Sequence, residues 1–226
     1  MASDSLGNPD YDGRVSVAGP PQVRQLAGAT VTKIAVGPYD NNSYLLRCDA
    51  TGAGLLIDAA AEPDRLLELV ADIPDLQIAP THGHPDHWQA LADVVADTRA
   101  ATMAGRLDAP DIPIPTDRLL DGDETIEIGS LTLRTIHLQG HTPGSIVFVF
   151  DDAEGSTHVF TGDCLFPGGV GKTWDDPQRF QSLYTGVVRE LFDALDDSAW
   201  IYPGHGHDTT IGAERPHLDE WRERGW

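Results

Sequence analysis

The sequence predicts an α+β fold in which two mainly antiparallel sheets pack face to face, with helices covering both outer surfaces. Short runs rich in β-branched and apolar residues come in groups, and each group is followed by a segment whose apolar residues lie three and four apart. That order of strands and then helix occurs twice along the chain. A sheet must bury a face and a helix must bury a stripe, so stacked layers satisfy both. A length of 226 residues is enough for one domain with a buried core.

Residues 1 to 24, rich in Gly, Pro, Ser and Asp and without apolar periodicity, read as a flexible N-terminal extension, leaving 25–226 as a single domain. The folded part opens with ATVTKIAV, NSYLLRC after the turn-forming PYDNN, and GLLIDAA, an opening meander. EPDRLLELVADI carries Leu66, Leu67, Val70 and Ile73 on one stripe and reads as an amphipathic helix. LQIAP is strand-like and leads through THGHPDH into HWQALADVVADT, which resumes helical spacing. A histidine cluster therefore sits on a strand-to-helix connection. After a Pro-rich loop come TIEIG, LTLRTIHL, SIVFVF and THVFTGD, then a helix through RFQSLYTGVVRELFDAL.

The formal charge of −21 repels phosphate backbones and anionic lipid, and no basic cluster offsets it, so nucleic acid is excluded as a partner. No apolar stretch reaches the ~18 residues of a membrane span. The amino terminus lacks a basic start followed by an apolar run, so no secretory signal is read and a cytoplasmic location is expected. The two cysteines, Cys48 and Cys164, make no CxxC pair and no disulfide framework, and neither is a candidate nucleophile.

The chemistry concentrates in His82-Gly83-His84-Pro85-Asp86-His87, four metal-capable side chains in six residues. Imidazole and carboxylate suit zinc, iron and manganese, and an extended turn splays alternate residues toward two adjacent points. His82 and His84 would face one ion, Asp86 and His87 the other. Two ligands per ion are too few, so further His or Asp residues are expected at later strand ends, where His141, Asp163 and His205 stand. The other histidines, His137, His158, His207 and His217, read as structural or surface residues. GGVGKT at 168–173 looks like a phosphate-binding P-loop but fails on spacing, because the required earlier glycine position holds Phe166.

THGHPDH, GHTPGS, FTGDCLF and YPGHG, in this order, resemble the successive ligand motifs of the metallo-β-lactamase superfamily and are most similar to its glyoxalase II-like branch. The resemblance runs from about Ala29 to His217. It implies a four-layer αβ/βα sandwich and two divalent metal ions, zinc first, with iron or manganese as alternatives. By residue, it implies His82, His84 and His141 on the first ion, Asp86, His87 and His205 on the second, and Asp163 bridging both.

The expected reaction follows from the ions, because a metal lowers the pKa of bound water to ~7 and supplies hydroxide at neutral pH. Asp86 and Asp163 would orient the bridging hydroxide as it attacks a small thioester or ester, an acyl-thiol conjugate being the expected substrate. A thiolate, with a pKa near ~8.5, leaves without a strong general acid. Lys172, with Thr173 assisting, would bind the substrate's carboxylate or thiol tail. Glyoxalase II enzymes typically carry a helical carboxy-terminal domain, whereas this sequence runs only to Trp226 past His205, which tells against glutathione specificity. Other readings are a mononuclear-iron persulfide dioxygenase using His82, His141 and Asp163, a lactonase or phosphodiesterase of the same superfamily, and a non-catalytic metal-binding module. A dimer is the guess for oligomeric state.

Overall fold

The computed structural model describes residues 11–226. Its first half runs β1 (Gln22–Leu26), β2 (Ala29–Val36), β3 (Asn41–Cys48), β4 (Gly54–Ile57), α1 (Pro63–Val70), β5 (Leu76–Ala79), a single 3₁₀ turn at Pro85–His87, α2 (Leu91–Thr98), β6 (Ala101–Gly105) and β7 (Arg118–Leu120). The second half runs β8 (Thr125–Ile128), β9 (Leu131–His137), β10 (Ile146–Asp151), β11 (Thr157–Gly162), the short hairpin β12 (Leu165–Phe166) and β13 (Gly169–Val170), and α3 (Pro177–Val187). It ends with β14 (Trp200–Pro203), β15 (Thr209–Thr210), α4 (Ile211–Glu214) and α5 (Leu218–Arg224).

Two sheets result, one of seven strands in the order β1 to β7 and one of six in the order β15-β14-β11-β10-β9-β8. The expected antiparallel character holds for the second sheet, where only β11 and β14 pair in parallel. It holds for only half of the first, because β4, β5, β6 and β7 pair in parallel. The helices explain this: α1 and α2 are crossovers that return the chain in the same direction, which an antiparallel neighbour does not need.

Strand alternation sorts side chains into three apolar layers. Leu46, Leu55 and Ile57 of the first sheet meet Leu133, Phe148, Phe160 and Tyr202 of the second between the sheets. Leu45, Leu56 and Ile78 turn outward onto Leu66, Val70 and Val94 of α1 and α2. Val147, Val149 and Val159 turn outward onto Phe180, Leu183 and Val187 of α3. The layers are therefore α, β, β, α, and strands buried on both faces read in sequence as unbroken apolar runs such as GLLI and IVFVF. Each fully buried Leu or Phe contributes ~1.5–3 kcal/mol, so this core dominates the stability.

Two sequence expectations change. The helix from Pro177 does not run on regularly. Its α-helical hydrogen bonding ends at Val187 and continues as a wider π turn over Val188–Phe192, which buries the adjacent Leu191 and Phe192 together. Within the expected flexible extension, residues 11–24 are tied down, while 1–10 lie outside the described residues. Lys33 points between the sheets with no exposed surface, and its ammonium needs acceptors there. The Gly13 carbonyl, the Gly206 carbonyl and the Asp208 carboxylate supply them at 2.7, 2.8 and 2.6 Å. Tyr11 donates to the other Asp208 oxygen at 2.6 Å, and β1 begins at Gln22. Among the described residues, no helix is long and apolar enough to cross a membrane.

Candidate metal centre

All seven expected ligands converge on one edge of the sandwich. The loop after β5 brings His82, His84, Asp86 and His87; the loop after β9 brings His141; Asp163 follows β11 and His205 follows β14. Three sets of ligand atoms lie within 4.8 Å of one another: His82, His84 and His141; His82, His87 and Asp163; and Asp86, His87 and His205. Asp163 lies between the two histidine groups, 3.4 Å from His87 Nε2, 3.4 Å from His141 Nε2 and 3.6 Å from His205 Nε2.

The far nitrogen of four imidazoles is already held. His82 Nδ1 meets Thr81 Oγ1 at 3.0 Å, His87 Nδ1 meets Asp58 Oδ2 at 2.9 Å, His141 Nδ1 meets the Lys172 carbonyl at 2.9 Å and His205 Nδ1 meets the Tyr39 carbonyl at 2.8 Å. Three of these partners, a carboxylate and two carbonyls, only accept, so they hold the proton on Nδ1 and leave the Nε2 lone pair facing inward. Inside the cluster the nitrogens face one another: His84 Nδ1 lies 3.0 Å from both His82 Nε2 and His141 Nε2, and His87 Nε2 lies 3.3 Å from His205 Nε2.

The electrostatics agree at the first set and differ at His87, whose Nε2 has to give up a proton before it can bind an ion. Burial holds His82 and His84 below the usual imidazole range and holds His141 down to about 4, aided at His82 by its neighbouring imidazoles, so these three are neutral donors at pH 7. Burial works the same way on His87, but the carboxylates of Asp58, Asp163 and Asp86 outweigh it and raise this group to about 9. Burial would raise Asp86, yet the Asn41 amide, donating at 3.0 Å, and the nearby His87 and His205 hold it low. Asp163 Oδ1 is buried without a hydrogen-bond partner among the described residues. A carboxylate oxygen left bare among converging imidazole nitrogens fits cations, and this donor set fits two divalent ions.

The rest of the expected site divides. Lys172 is exposed, but its contribution to the cluster is the backbone carbonyl that holds His141. Thr173 is buried, so of this pair only the Lys172 side chain faces solvent. Residues 168–173 form one side of the β12–β13 hairpin and its exit rather than a strand-to-helix loop, in keeping with rejecting a phosphate cradle. His158 is buried against the Tyr202 hydroxyl and His137 meets the Pro143 carbonyl; neither belongs to a ligand set.

Four residues of the centre carried no assignment from the sequence. Asp58, in a left-handed backbone conformation at φ 60°, accepts from Thr81 N and Thr81 Oγ1 as well as holding His87. The signal was available: an acid closing the apolar run GLLID is a buried charge that needs partners. Asp108 accepts from Gly83 N at 2.9 Å and Gly144 N at 2.6 Å, joining the His82 and His141 loops. Asn41 braces Asp86, and Arg179 donates to the Gly140 and His141 carbonyls. Nothing local in sequence distinguishes these three from surface polar residues.

The metallo-β-lactamase superfamily model matches residues 36–207, which span all seven ligands. The chain belongs to the metallo-β-lactamase superfamily. Within it, this protein is 30% identical over 203 residues to a hydroxyacylglutathione hydrolase of Haemophilus influenzae, covering 80% of this chain and 93% of the relative, which places it in the glyoxalase II-like branch. Among solved structures it is similar to ETHE1 from Myxococcus xanthus, with a TM-score of 0.72, 28% identity and coverage of 84% of both chains. It is also similar to a protein crystallised in a di-iron-bound form, with a TM-score of 0.67, 32% identity and coverage of 81% of this chain and 96% of that one. Members of this superfamily are mostly metal-dependent hydrolases, and the histidine and aspartate clusters of this chain fit divalent metal.

Proposed function

We propose that this protein is a binuclear, zinc-dependent thioester hydrolase of the glyoxalase II type, acting on a small acyl-thiol conjugate. The observation that carries the reading is the completeness of the second ligand set: Asp86, His87 and His205 stand together beside His82, His84 and His141, with Asp163 between. Two complete sets side by side are what two ions need. Two bound divalent ions supply hydroxide at neutral pH and polarise a carbonyl oxygen.

The chain's own residues then do three things. Asp86 and Asp163, whose carboxylates flank the space between the sets, orient the attacking oxygen and accept its hydrogen bond. Asp58, Thr81 and the Lys172 and Tyr39 carbonyls keep the imidazoles fixed, so no reorganisation is needed during attack. Lys172, exposed beside the His141 loop, meets an anionic tail of the substrate. No side chain in the cluster is a strong acid toward a leaving group, which favours a thiolate over an alkoxide. Support also comes from the hydroxyacylglutathione hydrolase relative and from the di-iron-bound neighbour.

The test pairs metal content by mass spectrometry, on protein purified without added metal, with hydrolysis of S-lactoyl conjugates. About two ions per chain and turnover that collapses in His84→Ala support the proposal. One iron per chain, no hydrolysis and oxygen uptake with a persulfide replace it with a dioxygenase.

A further inference from the structure

The segment that follows the β12–β13 hairpin contains two consecutive residues in the left-handed region, Trp174 at φ 55° and Asp175 at φ 58°. A side chain with a Cβ avoids this conformation, and for a residue as bulky as tryptophan it is a marked outlier. Such strain persists only where the surroundings impose it, and it gathers at active sites and ligand clamps.

The surroundings are the metal centre itself. The Trp174 ring lies 5.4 Å from the His141 ring at an interplanar angle of 28°, and 5.5 Å from the His84 ring at 72°. Arg179 lies 4.3 Å from the indole centroid while donating to the Gly140 and His141 carbonyls. The side chain that secures the His141 loop therefore also fixes the indole. Even so, Trp174 is 44% exposed. A large apolar ring, held in a strained conformation against two histidines of the first ligand set, thus keeps nearly half of its surface open to solvent beside the centre.

We propose that Trp174 is the specificity-determining residue of this centre, a wall against which an apolar group of the substrate packs within two carbons of the scissile carbonyl. The inference rests on the hydrolase reading for its reaction but not for its binding site. A carbonyl placed between the two ligand sets has its neighbouring atoms within reach of an indole ~5 Å from the His84 and His141 rings. Burying an aryl or alkyl face there removes apolar surface from water on both partners. The centre therefore prefers a thioester that carries an aryl or alkyl group beside the carbonyl, on the acyl or the thiol side, to a plain acetyl ester.

The experiment compares the zinc-loaded wild type with Trp174→Ala and Trp174→Phe on three thioesters: phenylacetyl and acetyl esters of one small thiol, and the acetyl ester of benzyl thiol. In the wild type, kcat/KM for one of the two aryl substrates exceeds that for the plain acetyl ester about tenfold. This ratio falls to near one in Trp174→Ala and is mostly kept in Trp174→Phe, with unchanged metal content. The aryl substrate that responds shows whether the acyl or the thiol side meets the wall. A ratio unchanged in Trp174→Ala, or equal loss on all three substrates, overturns the proposal.

If the wild type hydrolyses no thioester, the functional reading falls and the wall is judged by binding alone. Isothermal titration calorimetry with phenylacetate and with acetate, on wild type, Trp174→Phe and Trp174→Ala, then decides. Saturation by phenylacetate at a concentration at least about fivefold lower, with the preference abolished in Trp174→Ala, supports the wall; equal binding of both carboxylates overturns it.

Discussion

The two halves of the metal centre are built differently. The first set, His82, His84 and His141, is all imidazole, and His82 and His141 are buried, held by a hydroxyl and a backbone carbonyl, while Trp174 covers the His84 side. The second set contains a carboxylate and opens to solvent. The Asp86 and His205 side chains are 28% and 25% exposed, against 5% for His141, although His87 beneath them is fully buried on Asp58. The first half gains its rigidity from neutral, dry partners, whereas the second balances charges. A neutral set with two of its three ligands buried resists protons and water better than a charged set with one of three buried, which exchanges its ion with solvent more readily. The two halves should therefore differ in how firmly they retain metal.

Removing what they share gives the largest expected effect. Asp163→Asn replaces the bare oxygen between the sets by an amide and lowers kcat/KM on the order of a thousandfold, with metal content falling below one ion per chain by mass spectrometry. Equal metal in variant and wild type would show that Asp163 does not join the halves.

Asp58→Asn strikes mainly the second half and reaches the first only through Thr81, which donates to Asp58 and meets His82. It takes the charge from beneath His87 and lowers activity about 10–100-fold, leaving close to one ion per chain. Asp108→Ala is its counterpart on the first half. It strands the buried Gly83 and Gly144 amides and costs about 2–4 kcal/mol, read as a fall in Tm of the metal-loaded protein. The comparison fails if the Asp58 variant keeps both ions.

The smallest effect needs no mutation. Titration with a chelator should strip the wild type in two phases, with the ion of the Asp86 side leaving about tenfold faster than the ion of the His141 side. A single phase would mean that the halves hold metal equally.

Beyond the centre, the same contrast separates what was readable locally from what was not. The amphipathic stripe of Leu66 and Val70, the apolar strands GLLI and IVFVF, and the histidine cluster between a strand and a helix are local patterns, and each element stands where its pattern lies. The parallel half of the first sheet was not readable, because strand direction depends on where a crossover helix returns the chain. The seating of residues 11–24 was not readable either. It depends on Lys33, which looks like an ordinary strand lysine until its amine is found between the sheets with Gly13, Gly206 and Asp208 as its acceptors.

The sequence by itself determined the layered class of this protein, its superfamily motifs and the seven candidate side chains that the fold brings together, because ligand chemistry and side-chain periodicity are written residue by residue. Tertiary structure alone decided which groups hold those ligands still and which face the substrate. Asp58 under His87, Asp108 between two loops, Arg179 on the His141 carbonyl and the strained Trp174 over His84 act across 29, 36, 38 and 90 positions of chain. A contact of that kind exists only once the two sheets have closed on each other.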